Sequence, residues 1–277
     1  MTMIARLEQE DRLDRVITPS QNVARKLRPG RVRDALYGVW LGHPLHPVLV
    51  QAPVGAWLSA AVLDLFPHGE RESRRLVAFG LMASAPAALA GAADWSEQHE
   101  QQMRVGAVHA AANITASSLY AASLAVPGRR AAKTLRFAGL MMAAVGGLLG
   151  GHISFRQAAG ANQAEPVPHL VEPGWHDVMP AVDARAQGTA KAMIGDVPVV
   201  VIADGDGVHV LAEHCSHLSG PLSDGEVEDG CLTCPWHGST FRISDGAVMR
   251  GPATAPQPVF DTRVQGGIVQ ACLPGAG

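Results

Sequence analysis

The 277 residues suffice for one or two domains with packed cores, and they carry a net charge of −3 that is unevenly shared. Residues 1–174 hold 17 Lys+Arg against 13 Asp+Glu, whereas residues 175–277 hold 5 against 12. An acidic C-terminal part, with basic residues scattered through apolar sequence elsewhere, excludes a nucleic-acid binder. The four cysteines all lie beyond residue 214, which excludes a secreted disulfide scaffold.

Residues 1–40 read as a charged N-terminal tail. No basic start followed by a short apolar run and a small-residue cleavage site is present, so a cleaved signal peptide is not expected. Four stretches then lack Asp, Glu, Lys and Arg altogether: Ala35 to Leu63, Leu76 to Ala93, Val105 to Val126 and Phe137 to Phe155. Each reaches about 18 residues or more, the length a helix needs to cross a hydrocarbon core. The expectation is a four-helix transmembrane bundle over residues 41–156, with helices centred near Trp57, Ala85, Thr115 and Gly146. A soluble bundle would carry a charged outer stripe, and these runs have none. Small residues recur every four positions at Gly139, Ala143, Gly147 and Gly151 and at Gly80, Ser84 and Ala88, giving smooth faces for close helix approach.

Four spans return the chain to its starting side, so His43, His46, Asp94, Trp95, His109 and His152 fall at one membrane face, with Asn113 one turn beyond His109. Polar groups inside a membrane are costly and mark a site by default. Three readings compete for these histidines. They cap helix ends at the interface, or two of them (His46 and His109) hold a b-type haem, or His109, Asn113 and Asp94 line a quinone or proton-handling pocket. Basic residues are balanced on the two faces, leaving the positive-inside rule undecided; a charged tail without an export signal places both termini in the cytoplasm.

Residues 157–174, with Pro166, Pro168 and Pro173, read as a semi-extended linker. From Trp175 the pattern changes to strands and turns. Pro198–Ile202, a turn at Asp204–Gly207 and Val208–Leu211 form one predicted β-hairpin, and Ser239–Ile243, Ser244–Gly246 and Ala247–Met249 a second. Residues 175–277 are therefore expected to be a small all-β domain.

That domain carries Cys215-Ser-His217 and Cys234-Pro-Trp-His237, two Cys/His pairs with 16 residues between them. Each pair offers one thiolate and one imidazole, able to clamp a metal centre from two sides. A Cys₂His₂ zinc site is the competitor, but zinc fingers pair Cys with Cys and His with His and use a helix.

This C-x-H, C-x-x-H pattern resembles the Rieske iron–sulfur domain. The resemblance implies a [2Fe–2S] cluster with Cys215 and Cys234 on one iron and His217 and His237 on the other. It also implies a hydrogen bond to a cluster sulfur from Ser239, two residues after the second histidine. Phe241 stands where high-potential members have tyrosine, and Gly220 and Trp236 stand where those members have bridging cysteines, so the pattern resembles the lower-potential ferredoxin type. Cys231 and Cys272 read as ordinary strand thiols. A Rieske oxygenase needs a second, mononuclear iron site, and no histidine follows His237. No phosphate-binding glycine loop suggests NAD or FAD.

The membrane half, through His43-Pro-Leu-His-Pro47, Pro53–Trp57, Asp94-Trp95, His109–Asn113 and Gly150-Gly-His152, resembles an uncharacterised bacterial four-helix membrane domain that occurs joined to Rieske domains. Together the readings give a membrane-anchored one-electron carrier. Its expected partners are membrane lipid, donor and acceptor proteins with a basic docking surface, and a quinone. The alternatives are a redox sensor on a passive anchor and a quinol-linked oxidoreductase subunit.

Overall fold

The computed structural model describes residues 3–26, 28–205 and 207–275. The chain forms two compact units: one comprises residues up to Arg28 together with Pro44–Ala159, the other Pro29–His43 together with Gly160 onward.

The first unit is helical. It opens with the short helices α1 (Met3–Leu7) and α2 (Asp14–Ala24), whereas the next helix, α3 (Arg31–Tyr37), belongs to the second unit. Then α4 (His46–Leu49) leads into α5 (Gln51–Leu63), followed by α6 (Glu70–Trp95), α7 (Glu100–Ala125) and α8 (Arg129–Gly151). All four expected spans are thus helical. Among the described residues three stretches are long and apolar enough to cross a membrane: His46–Leu63, Glu70–Trp95 and Arg129–Arg156. Helix α7 falls short, because Gln101, Gln102, Arg104, His109, Asn113, Ser117 and Ser118 dilute its apolar residues.

Helix contacts depart from the expected every-fourth-residue stripes. On α8 the packed glycines are Gly139 against Tyr120, Gly146 against Asn113 and Gly150 against His109, while Gly147 faces open space. On α6, Gly80 meets Trp57 and Gly91 meets His46, while Ala88 is exposed. Four residues turn a helix about 400°, so an every-fourth stripe drifts off the contact face within two turns; alternating steps of three and four stay on it. At the bundle centre Trp57 stacks on Tyr120 with ring centres 4.4 Å apart. Near one end Arg136, 2% exposed, bridges Asp64 (2.6 and 2.8 Å) and Glu70 (2.9 Å). Both α1 and α2 belong to this unit: Arg104 on α7 forms a two-pronged pair with Asp14 (2.9 and 2.7 Å) and donates to the Glu8 carbonyl.

The second unit is built on two antiparallel sheets. The larger runs in the order β1 (His176–Pro180), β10 (Ile268–Cys272), β9 (Val259–Gln265), β4 (Gly207–Ala212), β3 (Val197–Asp204), β2 (Thr189–Ile194). The smaller runs β5 (Glu226–Glu228), β6 (Cys231–Thr233), β7 (Thr240–Arg242), β8 (Val248–Arg250). Both predicted hairpins are present, as β3–β4 and β7–β8; Asp206, in the first turn, lies outside the described residues. The unbroken apolar run of β3 is explained by burial on both faces. Val199 and Val201 point into one core with Val210, Phe260 and Val269, while Val200 and Ile202 point into another with Leu222, Leu232 and Phe241. Helices α9 (Val167–Leu170) and α10 (Ala181–Gln187) flank the first core, and Val171 is buried in it. Residues 160–174 are accordingly held to this unit, with the Gln163 N–H donating to the Ser216 carbonyl at 2.9 Å.

The α3 segment is the least expected part of the second unit. Asp34 Oδ1 accepts a hydrogen bond from the Gly251 N–H at 3.0 Å, and Tyr37, 3% exposed, lies so close to Gly251 that a Cβ there would sit 2.6 Å from its ring.

Candidate functional site

The four metal-ligating candidates sit on two loops built alike. In the first, after β4, the Cys215 N–H donates to the Gly220 carbonyl (2.9 Å) and the Ser219 N–H to the Cys215 carbonyl (2.9 Å). In the second, between β6 and β7, the Cys234 N–H donates to the Ser239 carbonyl (2.8 Å) and the Gly238 N–H to the Cys234 carbonyl (3.1 Å). Ser219 and Gly238 take equivalent positive-φ positions, 60° and 74°. Each loop therefore curls around its cysteine and carries its histidine to the same place.

The two loops bring the sulfurs together inside and the imidazoles together outside. Cys215 and Cys234 are buried and share a hydrogen bond. His217 and His237 are partly exposed, their ring centres 5.1 Å apart and their planes at 86°. Donors converge on the sulfurs: the His217 N–H and the Ser239 hydroxyl on Cys215, and the N–H groups of Trp236 and His237 on Cys234. The thiol of Cys215 donating to it, with those two N–H groups, draws the Cys234 pKa down to about 7 against the opposing effect of burial. Cys215, which keeps the shared proton and is buried, is pushed up.

The arrangement fits a two-metal cluster. Two imidazoles that share one four-coordinate metal at about 2.0–2.1 Å have ring centres about 5 Å apart, as His217 and His237 do. Among the described residues no three His, Cys, Asp or Glu side chains converge as a single ion requires. A pair of sulfurs and a separate pair of imidazoles is the donor set of a [2Fe–2S] centre with different ligands on its two irons. Gly220 leaves the space above Cys234: a Cβ there would lie 2.7 Å from the sulfur.

Side chains that the motif does not reveal hold these loops. Gln257, 1% exposed, accepts from the Ser216 N–H (3.0 Å) and donates to the carbonyls of Ala212 and His214 (2.8 Å each). Buried Glu213 accepts from the Ser223 N–H and hydroxyl. Ser239 Oγ accepts from the Ala253 N–H (3.0 Å), joining a third loop, residues 251–257, to the site. An isolated Gln or Glu carries no spacing signal, so only the fold exposes these roles.

The membrane-side candidates divide. His46 and His109 approach each other, with ring centres 6.2 Å apart, and Asn113 lies against His109. His152 is elsewhere, 2.7 Å from Glu8, and His43 is exposed in the second unit. Cys231 opens β6 and Cys272 closes β10; neither joins the cluster of donors.

Comparison with known proteins agrees with both halves. Residues 174–261 match the Rieske [2Fe-2S] domain, and residues 42–163 match a family described as a predicted membrane protein (DUF2231). The chain is 33% identical over 96 residues to the anthranilate 1,2-dioxygenase ferredoxin subunit of Burkholderia cepacia, covering 35% of this chain and 89% of that protein. It is 31% identical over 97 residues to ferredoxin CarAc of Metapseudomonas resinovorans, covering 34% and 90%. Among solved structures, a complex of reduced oxygenase and oxidized ferredoxin in carbazole 1,9a-dioxygenase matches 36% of this chain and 94% of that chain at 27% identity, with a TM-score of 0.34. A [2Fe–2S] centre, electron transfer and a membrane domain are thereby established in outline, and the chain belongs to the Rieske [2Fe–2S] family, its Rieske domain joined to a DUF2231 membrane domain.

Proposed function

We propose that this protein is a membrane-held one-electron relay in which Cys215 and Cys234 hold one iron of the cluster and His217 and His237 the other. The observation that carries this is the segregation of two buried sulfurs, fed by N–H donors, from two partly exposed imidazoles 5.1 Å apart. The cluster, when bound, takes up and releases single electrons. Replacing two thiolates by neutral imidazoles makes it less negative than an all-cysteine cluster and raises its potential. The protein's own residues do the rest. Burial keeps water from the sulfurs, the N–H and hydroxyl donors stabilise their charge, and the imidazole edge offers the route by which electrons enter and leave.

Four helices crossing the membrane, with both termini and the Rieske domain in the cytoplasm, complete the proposed arrangement; the membrane side would exchange electrons with a quinone or a haem near His46 and His109. The surplus of 12 acidic over 5 basic residues in residues 175–277 favours partner proteins with a basic docking face. The relative described as a dioxygenase ferredoxin subunit, and the one described as a ferredoxin, support a carrier that passes electrons to a partner protein.

The test is the visible and electron paramagnetic resonance spectrum of the full-length protein in detergent. Cys215→Ala and His237→Ala are each expected to abolish the iron–sulfur signal, while His152→Ala leaves it. A full cluster in either of the first two variants would overturn the ligand assignment.

A further inference from the structure

We propose that the helical bundle binds a b-type haem, with His46 and His109 as its two axial ligands. The rings come from α4 and α7, with centres 6.2 Å apart and planes at 81°. His46 Nδ1 lies 2.8 Å from the Ala87 carbonyl on α6, and His109 Nδ1 lies 2.8 Å from the Gly146 carbonyl on α8. A carbonyl only accepts, so each Nδ1 carries the hydrogen and each Nε2 carries a lone pair. This is how proteins fix the tautomer and ring orientation of a ligating histidine.

Asn113 does not compete for that lone pair. Its Nδ2 is 3.2 Å from His109 Nε2 but also 3.5 Å from Nδ1. A donor in line with the Nε2 lone pair at hydrogen-bond distance would be about 5 Å from Nδ1, so the amide rests against the ring instead. Glycines seat both imidazoles: a Cβ at Gly91 would lie 2.7 Å from His46 Nδ1, and one at Gly150 would lie 3.1 Å from His109 Cε1.

Separation and donor set select the ligand. Two imidazoles on opposite sides of one metal, bonded at about 2.0–2.1 Å, have ring centres about 6 Å apart, against about 5 Å when they share a tetrahedral metal. The 6.2 Å here fits the opposed arrangement. Among the described residues no third His, Cys, Asp or Glu joins the pair to complete a bare ion's shell. A porphyrin brings four nitrogens of its own and needs only two from the protein. The N–H of each ring is already given to a backbone carbonyl, so neither imidazole is left to donate to a quinone carbonyl.

Bound haem iron passes from ferric to ferrous on gaining one electron, and a reduced cluster losing that electron balances the step, with no proton moved and no bond broken. This role rests on the electron-transfer reading above; the binding itself does not. The experiment is a haem count by the pyridine haemochrome method on full-length protein expressed with iron and haem supply, alongside the cluster resonance on the same sample. About one haem per chain is expected, falling by roughly tenfold or more in His46→Ala and in His109→Ala while the cluster signal persists. His46→Met offers iron another acceptable ligand, so it should retain haem and raise its potential. His43→Ala should change nothing. A cluster-replete protein without haem, including one that carries quinone instead, overturns the inference. So does haem that survives both alanine substitutions, or an unaltered haem spectrum in His46→Met. Absence of the cluster resonance would count against the electron-transfer reading alone, leaving the haem count to decide this one.

Discussion

Replacing Ser239 by alanine isolates one hydrogen bond to the proposed cluster. Ser239 Oγ accepts from the Ala253 N–H at 3.0 Å, so its own hydrogen is turned to the Cys215 sulfur. A hydrogen bond to a charged group contributes about 1.5–3 kcal/mol, and reduction adds a negative charge that strengthens it. With about half of that value arising on reduction, the oxidised state gains by about 0.7–1.5 kcal/mol relative to the reduced one when the bond is removed. At 59 mV per 1.4 kcal/mol for one electron, the midpoint potential should fall by about 30–65 mV. The assay is a redox titration of the full-length protein followed by the cluster resonance. Cluster content should be unchanged, since Ser239→Ala leaves all four proposed ligands in place. A potential that stays constant or rises at full cluster content would refute the assignment of the hydroxyl to Cys215.

Three further outcomes follow from side chains placed by the fold. Gln257→Leu strands the Ser216 N–H and the carbonyls of Ala212 and His214, at about 1–3 kcal/mol for each buried group; the denaturant midpoint for bleaching of the cluster should drop by at least the equivalent of about 3 kcal/mol. Arg136→Met leaves Asp64 and Glu70 without their shared cation and should cost the bundle about 3–5 kcal/mol in a detergent unfolding titration, with the cluster spectrum unaffected. The Arg104 guanidinium holds the Asp14 carboxyl below its ordinary value, so the pairing of α2 with α7 is present above the ordinary carboxylate range and is lost as pH falls through the lowered pKa. Limited proteolysis of residues 3–26 should therefore accelerate in Asp14→Asn at neutral pH and in the parent protein only on acidification; equal rates for the two at neutral pH would contradict it.

What the sequence revealed depended on whether the chemistry is local. The Cys/His spacing is a motif of consecutive residues, and the loops fold as that motif suggests, each closed by the same pair of backbone hydrogen bonds. Charge-free runs marked the bundle helices because excluding charge needs no partner to be visible. The glycine stripes were misplaced because spacing by four ignores helical drift, whereas the actual contacts at Gly139, Gly146 and Gly150 depend on what Tyr120, Asn113 and His109 present opposite. Gln257, Glu213 and Asp34 were invisible for a related reason. Their partners lie far away in sequence, and nothing in a lone polar residue says that a distant N–H will need it. The shortfall of α7 in apolarity is the reverse case: polar residues counted one by one lower its hydropathy, yet His109 and Asn113 find neighbours within the bundle.

The assignment of Pro29–His43 to the Rieske unit means that the chain passes between its two units three times, at residues 28–29, 43–44 and 159–160. In the order of the polypeptide, residues 44–159 are an insertion within the redox unit and not a module appended to its end. A fragment starting at Trp175 would omit Asp34 and Tyr37 and bare the surface at Gly251 that they cover. Conversely, a single proteolytic cut after Ala159 would leave a nicked pair of fragments in which α3, still attached to the helical piece, keeps its contacts with Gly251 of the other. Recombinant dissection of this protein therefore calls for carrying residues 29–43 with the C-terminal part, either as a separately expressed peptide or through a short linker replacing the insertion.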